Sequence, residues 1–296
     1  MTRVAILGFG TEGRVAYEYF RPRVASVDSL VVLDRDEDRP MPPGVRSVRG
    51  ERYLDDLEGF DLIVRSPGID PRLLPTELPV TSTARYFMDH CPARVIGVTG
   101  TDTDTAANLI AVMLRAAGNR VWEGGNLPGP PLAVLDSVTP EDLVVFGISS
   151  FQLQDMSTSP EIAVVLDVEG PDLKYHRDTA EYLGAKAGIA LHQREDDVMV
   201  FHPDDAGSRA VADASVARKQ PSPDIRYGHV SDGVLRVSDV DILPLSKTPL
   251  ASEQENRLVS AAVTAVWNVV DDPRPLRSAL AAFEPAPHRT AMGKAE

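Results

Sequence analysis

The stretch from residue 94 to residue 108 constrains the fold of this chain more than any other part of its sequence. An apolar run with Val95, Ile96 and Val98 leads into a turn of glycine and threonine, and apolar residues at helical spacing follow from Leu109. A strand, a turn and a helix in this order form a phosphate-binding loop, in which backbone N–H groups and the helix N-terminus face the phosphates. The stretch therefore predicts an α/β domain with a nucleotide-type loop.

The side chains of this loop differ from those of a working nucleotide site. Such a loop continues with Gly-Lys-Ser/Thr, where the lysine contacts the β- and γ-phosphates and the hydroxyl contacts Mg²⁺. Here the chain reads Thr103, Asp104 and Thr105, and its first lysine is Lys174. Asp102 and Asp104 would face the phosphates, and like charges at close range repel by on the order of a kcal/mol or more each. We expect the layout of a nucleotide loop without its cation.

A second glycine-rich turn follows the first apolar run of the chain. Gly8, Gly10 and Gly13 precede a helical pattern, and Asp34 ends the next apolar run about 20 residues later. In dinucleotide-binding units the glycines let the backbone approach a pyrophosphate, and the acidic residue accepts from a ribose hydroxyl. Asp34 could equally accept from a uracil N–H. The motif therefore fits a nicotinamide or flavin cofactor as well as a nucleotide sugar.

A third turn, Ser66-Pro67-Gly68-Ile69, follows the apolar run at residues 62–65. Proline fixes φ and glycine permits positive φ, so the turn is rigid, and it lies at the carboxyl end of a strand, where open α/β sheets bind ligands. A domain boundary is predicted near His90-Cys-Pro. We therefore expect a first domain at residues 1–91, a second at 92–286 and an exit segment at 287–296.

Charge and cysteine content exclude several classes of partner. The formal net charge of the 296 residues is −14, and an acidic surface is not attracted to nucleic-acid phosphates or anionic lipids. One cysteine excludes an internal disulfide framework. The sequence shows neither a signal-peptide pattern nor an apolar run of about 18 residues, which would be needed to span a membrane. We expect a cytoplasmic protein with no nucleic-acid or membrane partner.

Several of these motifs resemble those of the Mur ligases. The segment at residues 97–101, Gly-Val-Thr-Gly-Thr, is similar to the start of their central nucleotide loop, and residues 149–154, Ser-Ser-Phe-Gln-Leu-Gln, resemble a segment of the D-glutamate-adding branch (MurD). The turn at 66–69 resembles their nucleotide-sugar turn. The resemblance covers nearly the whole chain, through two of the three domains of the family. It implies an α/β fold with a Rossmann-like UDP-binding domain followed by an ATPase-like central domain.

The resemblance also implies roles for individual residues. A site for the UDP-sugar-peptide would be formed by Gly8, Gly10, Gly13, Asp34, Ser66, Pro67, Gly68, Asn126, Ser149, Ser150 and Gln152. The degenerate nucleotide loop would comprise Gly97, Thr99, Gly100, Thr101, Asp102, Thr103, Asp104 and Thr105, with the Thr105 hydroxyl on the metal.

Four further positions match catalytic or ATP-binding residues of the family. Lys186 matches a lysine that is carbamylated in several members and bridges to Mg²⁺, although an ordinary helix lysine is the alternative. His176 matches a histidine of the MurD segment, and a histidine that opens a helix can equally be a capping or surface residue. Asn256 and Arg289 match contacts to ATP.

The substitutions that depart from the family pattern all affect positions that bind ATP or its metal ion in the family. The loop lysine and its neighbouring glycine are replaced by Asp104 and Thr103, the metal-binding glutamate by Gly147, and a histidine near the phosphates by Asp172. Only seven residues follow Arg289, where the family continues into a third domain that holds the amino acid. ATP and Mg²⁺ are the cofactors of the family, and these changes put both in doubt for this chain.

Three hypotheses follow. The first is a MurD-like protein that binds a UDP-N-acetylmuramoyl-peptide but is catalytically impaired in the family reaction, the ATP-dependent joining of UDP-N-acetylmuramoyl-alanine to D-glutamate. The second is an active ligase that a partner protein completes by supplying a third domain. The third is a nicotinamide-dependent oxidoreductase built on the turn at residues 8–13 and on Asp34.

Overall fold

The computed structural model describes residues 3–125, 129–170, 175–250 and 252–284. Within these ranges the chain forms two parallel β-sheets and a small antiparallel sheet, with helices packed on them. The predicted α/β fold is confirmed. No helix in the part of the chain that the structure describes has both the length and the apolar character needed to cross a membrane.

The first sheet is built from short apolar strands. Strand β1 (Val4–Leu7) is buried at all four positions, as is typical of a strand that is covered on both faces. The other strands and the two helices of this part are α1 (Thr11–Phe20), β2 (Leu30–Asp34), β3 (Arg46–Arg49), β4 (Leu62–Arg65), β5 (Val80–Ser82) and α2 (Thr83–His90). All strand pairs are parallel, in the order β3-β2-β1-β4-β5. The chain order reverses between β1 and β4, which is where such sheets bind ligands.

The second sheet has six parallel strands in the order β11-β10-β9-β6-β8-β7. Its strands and the helices between them are β6 (Arg94–Thr99), α3 (Thr103–Ala116), β7 (Val121–Gly124), β8 (Leu143–Gly147), α4 (Ser150–Leu153), β9 (Ile162–Val165), α5 (Thr179–Lys186), β10 (Val198–Phe201), α6 (Ala206–Asp213) and β11 (Arg218–Pro221). The strand, turn and helix predicted from residue 94 onward are therefore β6, the turn after it and α3.

The last part of the described chain is a three-stranded antiparallel sheet followed by two helices. These elements are β12 (Gly228–Ser231), β13 (Val234–Val237), β14 (Val240–Pro244), α7 (Glu253–Trp267) and α8 (Pro273–Ala281). Helix α7 begins with a capping box, because the side chains of Ser252 and Glu255 each accept a hydrogen bond from the other's backbone N–H. Both α7 and α8 pack against α3.

Two large apolar clusters cover opposite faces of the second sheet. One joins it to α3, α7, α8 and the antiparallel sheet. The other joins it to α1, α2 and one face of the first sheet. The rings of Phe87 in α2 and Phe146 in β8 meet edge to face, with 6.1 Å between their centroids. The two parallel sheets therefore share one apolar core.

Candidate functional site

A cavity of about 470 Å³ opens where the first sheet reverses its strand order. Its wall consists of the turn after β1, the end of β2 and the turn after β4, and the lining comprises residues 8–12, 34, 35 and 66–70 together with Arg39, Tyr53 and Leu73. The structure thus brings together the two first-domain turns that the sequence predicts to form a ligand site.

Two of the three glycines in the first turn are required by their surroundings. Gly8 has a φ of +81°, a conformation that favours glycine. A Cβ on Gly13 would lie 1.8 Å from the carbonyl oxygen of Gly8, so only glycine lets α1 start this close to the turn. A Cβ on Gly10 would meet nothing within 4 Å. The close approach needed for a phosphate-binding turn is therefore built on Gly8 and Gly13.

Asp34 holds the first turn in place. One oxygen of its buried carboxylate accepts from the Phe9 N–H at 2.6 Å, and the other accepts from the Asp36 N–H at 2.8 Å. The Arg39 Nε lies 3.5 Å from the same carboxylate. Both oxygens of Asp34 already accept backbone hydrogen bonds, so a ribose or uracil partner would have to share them.

The turn after β4 is tied to the glycine turn. The Ser66 N–H donates to the Leu7 carbonyl at 2.8 Å, and the Ser66 hydroxyl donates to the Gly8 carbonyl at 3.1 Å. Pro67 and Gly68 line the cavity beside it. Ser66 thus fixes the distance between the two turns.

The predicted substrate groups of the second sheet are bonded to one another. Ser149 is the N-cap of α4, and it forms a capping box with Gln152. The Gln152 Nε2 donates to the Glu12 Oε1 at 2.9 Å, which joins α4 to α1. Burial raises the pKa of the Glu12 carboxyl above its ordinary value, and hydrogen bonds from Thr83 and Gln152 oppose that shift. The sequence did not single out Glu12.

His176 is neither a capping nor a surface residue, which corrects one of the alternatives drawn from the sequence. Its side chain is buried, and its Nε2 lies 2.9 Å from the Ser150 hydroxyl. The ring stacks on Phe151 with 5.6 Å between centroids. Helix α5 is capped instead by the Asp178 carboxylate, which accepts from the Glu181 N–H. His176 therefore supports the segment that contains Ser150.

The degenerate loop lies at the carboxyl end of β6, where the second sheet reverses its strand order. Gly97 lies within β6, and a Cβ there would be 2.6 Å from Pro160. Gly100 has a φ of +123° and packs on Leu166. The Thr101 N–H donates to the Asp167 carbonyl at 2.8 Å. These contacts hold β6 and the turn after it against the residues on either side of β9.

The side chains at the start of α3 are acidic or uncharged. Asp102 adopts a left-handed conformation with a φ of +57°, and its Oδ2 accepts from Gln254 at 3.2 Å. The Thr103 hydroxyl donates back to the Gly100 carbonyl at 2.7 Å. A Cβ on Gly147 would lie 3.5 Å from the Asp104 Oδ1. Asp104 and the position of the family's metal-binding glutamate are thus neighbours.

A small cavity of about 190 Å³ lies between this loop and α7. Two of its lining residues are acidic, Asp102 and Glu255, and no lysine or arginine is found among those that the structure describes there; Thr105, Leu250, Ser252, Gln254 and Leu258 complete the lining. Within the described ranges, no group of three or more His, Cys, Asp or Glu side chains could hold a metal ion. Because carboxylates carry the same sign of charge as phosphates, the residues that line this cavity do not fit the phosphate chain of ATP.

Lys186 lies beside the loop, at the end of α5. It is buried, with 4% of its surface exposed. Its Nζ lies 3.1 Å from the hydroxyl of Thr99, the last residue of β6, and 5.0 Å from the centre of the Tyr182 ring. Burial lowers the pKa of Lys186 to about 8. The neutral amine, which is the form that reacts with CO₂ to give a carbamate, is therefore favoured relative to an ordinary lysine.

Asn256 lies on α7, and its buried Oδ1 has no hydrogen-bond partner in the described part of the chain. One residue further on, Arg257 binds the Asp167 carboxylate, with its Nε 3.1 Å from Oδ2. The His202 Nδ1 lies 2.9 Å from Oδ1 of the same carboxylate. Burial raises the pKa of Asp167, but the hydrogen bonds from Arg257 and His202 outweigh it and hold the pKa below its ordinary value. This cluster was not identified from the sequence.

Asn126, Asp172 and Arg289 lie outside the described residues. The roles that the resemblance gives to Asn126 and Arg289, and the substitution at Asp172, therefore stay predictions. So does the assignment of residues 287–296 as an exit segment.

Comparison with individual proteins of known function relates this chain to ligases. No model of a known protein family matches the chain. The UDP-N-acetylmuramoylalanine–D-glutamate ligase of Clostridium botulinum (strain Loch Maree / Type A3) is 34% identical over 215 residues, which are 69% of this chain and 47% of that protein. The chain thus spans about half the length of the curated relatives that it matches.

Solved structures with the same fold are also ligases. The UDP-N-acetylmuramate:L-alanyl-gamma-D-glutamyl-meso-diaminopimelate ligase from Neisseria meningitides superposes with a TM-score of 0.62 at 14% identity, covering 97% of this chain and 100% of that chain. MurF ligase from Thermotoga maritima in complex with ADP gives a TM-score of 0.52 at 16% identity, covering 97% of this chain and 65% of that chain. At these identities the likeness concerns the fold alone.

Proposed function

The chain belongs to the Mur ligase family, and from that premise we propose that it binds a UDP-N-acetylmuramoyl-peptide in the cavity of the first sheet and is impaired in ATP-dependent ligation. Of the members, we take the MurD type, which acts on UDP-N-acetylmuramoyl-alanine, as the nearest model for the ligand. We also propose two domains, at residues 1–91 and 92–286, and a cytoplasmic location.

One contrast carries this proposal. The cavity of the first sheet has its glycine turn and the Ser66 hydroxyl that ties the two turns together, whereas in the loop of the second sheet Asp102 lines the small cavity and Asp104 lies beside Gly147. A unit charge about 4 Å from another contributes about 4 kcal/mol at an effective dielectric constant of about 20. An aspartate in place of the loop lysine therefore removes an attraction and adds a repulsion, and solvent screening reduces both because Asp104 is exposed.

Loss of ATP binding would disable the family reaction at its first step. Phosphoryl transfer depends on positioning and on neutralising the phosphate charge, and the protein contributes little other chemistry. Gly147 has no side chain with which to bind a metal ion. With the loop cation also replaced, neither the nucleotide nor its Mg²⁺ has the partners that this reaction needs.

A second candidate is an active ligase that a partner protein completes. The observation that favours it is Lys186, whose buried amine lies beside the loop with a lowered pKa. Single-turnover formation of the amide product on adding a candidate third-domain protein would support it. A carbamate signal at Lys186, detected by carbon-13 NMR after addition of labelled bicarbonate, would show that this part of the machinery is loaded.

The proposed function is tested by titration calorimetry on the parent chain with two probes. We expect UDP-N-acetylmuramoyl-alanine to bind and Mg-ATP to give no measurable heat of binding. If the muramoyl nucleotide fails to bind, the proposed ligand is wrong. If Mg-ATP binds with micromolar affinity, the assignment of the loop as disabled is wrong and the active ligase becomes the better hypothesis.

A further inference from the structure

Arg65 is the largest side chain that is fully buried in the described structure. It ends β4 and immediately precedes the turn at residues 66–70. Its Nη1 donates to the carbonyls of Ser66, at 3.2 Å, and Pro67, at 3.1 Å, and also to that of Ile69. One guanidinium nitrogen therefore donates to three carbonyl groups of the cavity turn.

These bonds also determine where the amide groups of the turn point. In a planar trans peptide the N–H is directed opposite to the C=O of the same unit. The N–H groups of Gly68 and Asp70 belong to the peptide units whose carbonyls Arg65 binds, so they point away from Arg65. Neither N–H has an acceptor among the described residues, and both residues line the cavity. They are two donors available to a carbonyl or phosphate oxygen of a ligand.

The carboxylate that pairs with Arg65 belongs to the second half of the chain. The Arg65 Nη2 is 2.8 Å from the Asp155 Oδ2, with 0% and 18% of the two side chains exposed. Asp155 follows α4 and does not line the cavity. Its other oxygen lies 3.4 Å from the Ser82 hydroxyl. A buried guanidinium is tolerated only when it is paired and hydrogen-bonded, so Asp155 is what permits Arg65 to stay behind the turn.

A second link reaches the turn from the same side. The Tyr175 hydroxyl donates to the Pro67 carbonyl at 3.1 Å, and Gln154 donates to that hydroxyl at 2.6 Å. Gln154 and Asp155 are consecutive residues after α4. The segment that follows α4 is therefore linked to the cavity turn by two routes, through Arg65 and through Tyr175.

We propose that Arg65 is a positioning residue for the nucleotide sugar, and that Asp155 gives α4 and the segment after it control over the affinity of the first-sheet cavity. Arg65 acts through the turn, by holding the Gly68 and Asp70 amides in the cavity, and touches no ligand itself. In this inference the identity of the ligand rests on the proposed function. The conformation of the turn does not depend on it.

The test compares the full-length parent with Arg65→Lys, Asp155→Asn and the double variant, and uses Arg236→Lys as control. Arg236 pairs with Asp241 in the antiparallel sheet, far along the chain from the cavity, so this control makes the same substitution in a more exposed ion pair elsewhere. The probe is UDP-N-acetylmuramoyl-alanine, measured by calorimetry. We expect Arg65→Lys to weaken binding about tenfold or more and Asp155→Asn about three- to tenfold, as is typical for lost hydrogen bonds to charged groups. The double variant should bind no more weakly than Arg65→Lys, because the two residues act as one unit.

A spectroscopic readout separates positioning from general destabilisation. In nitrogen-15 NMR spectra of the ligand-free protein, the amide signals of Gly68 and Asp70 should move in Asp155→Asn and stay in place in Arg236→Lys. If they do not move, the positioning role is overturned, whether or not the probe binds. If the parent binds the probe and both Arg65→Lys and Asp155→Asn bind it equally well, the inference fails while the proposed function stands. If Arg65→Lys does not fold, Asp155→Asn carries the test alone, since its carboxylate is partly exposed and its replacement keeps a hydrogen-bond acceptor.

Discussion

The carboxyl edges of the two parallel sheets carry the same kind of turn, but they surround it with different side chains. At the first edge the cavity is lined by Asp34 and Glu12 and also by Arg35 and Arg39. At the second edge Asp102 and Glu255 line a cavity whose described residues include no lysine or arginine. Both edges thus have a glycine-containing turn between a strand and a helix, and the two edges differ in the charged side chains that line the adjacent cavity.

The largest effect is expected from replacing two loop residues at the edge of the second sheet with the residues that the family has there. Thr103→Gly combined with Asp104→Lys exchanges a repulsive charge for an attractive one, and solvent screens both charges because residue 104 is exposed. We expect the variant to gain Mg-ATP binding by a factor of about a hundred or more over the parent, measured by calorimetry. The matched control is Thr103→Gly with Asp104→Asn, which removes the repulsion without adding a cation. If the control and the lysine variant bind equally, charge is not what separates the two edges.

The next effect concerns Lys186, the cation that the second edge retains. Its pKa falls from 10.5 to about 8 in the folded chain, so the folded state binds fewer protons than the unfolded state between these values. The free energy of unfolding should therefore rise with pH across this window, and below pH 8 the buried charge should cost on the order of 3 kcal/mol. Lys186→Met removes this contribution. Urea unfolding at pH 7 and pH 10 measures it.

The sign of that pH dependence is the decisive observation. Parent and Lys186→Met should converge in stability as the pH rises toward 10.5, with Lys219→Met as a control for an ordinary surface lysine. If the gap between parent and Lys186→Met does not change with pH, then Lys186 is not titrating in this window.

A smaller effect is expected at the first edge from Gly13→Ala. The added Cβ would lie 1.8 Å from the Gly8 carbonyl, so α1 or the turn must move, and such overpacking typically costs about 1–3 kcal/mol. Gly10→Ala is the matched control, because a Cβ there meets nothing within 4 Å. Thermal unfolding and calorimetry with UDP-N-acetylmuramoyl-alanine should separate the two. Equal behaviour of the variants would mean that the close approach at Gly13 does not shape the cavity.

The smallest effect is expected from Glu255→His in the background with the repaired loop. The substitution removes one of the two acidic groups that line the small cavity, and with it the Glu255 half of the capping box of α7. We expect Mg-ATP to bind a few-fold more tightly than to the repaired loop alone, as exposed single charges contribute about 0.2–1 kcal/mol. Gln254→His, one position earlier, is the control. A gain from both variants would point to the added histidine and not to the lost carboxylate.

The elements of the fold could be predicted from the sequence because they depend on local patterns. The apolar runs, the glycine turns and the helical spacing after Thr103 each lie within about 15 residues, and the strand, turn and helix appear where they were expected. The two turns of the first sheet could be placed in one site because the carboxyl ends of parallel strands meet at one edge.

The partners of the site residues could not be predicted, because they depend on contacts between distant segments. Gln152 binds Glu12 across 140 residues, and Arg65 binds Asp155 across 90. The sequence interpretation treated Ser149, Ser150 and Gln152 as groups available to a substrate, whereas the structure bonds each of them to a protein group. Their roles toward a ligand, like those of Asn256 and Lys186, stay predictions.

The packing at Gly147 constrains the order in which single substitutions could lead toward the sequence of the family. A Cβ at this position already lies 3.0 Å from the Thr103 Cγ2 and 3.5 Å from the Asp104 Oδ1. A glutamate introduced first would press on the threonine methyl and face the aspartate carboxylate, so the step would be unfavourable until both loop residues had changed. We therefore expect Gly147→Glu to be better tolerated in the Thr103→Gly/Asp104→Lys background than in the parent.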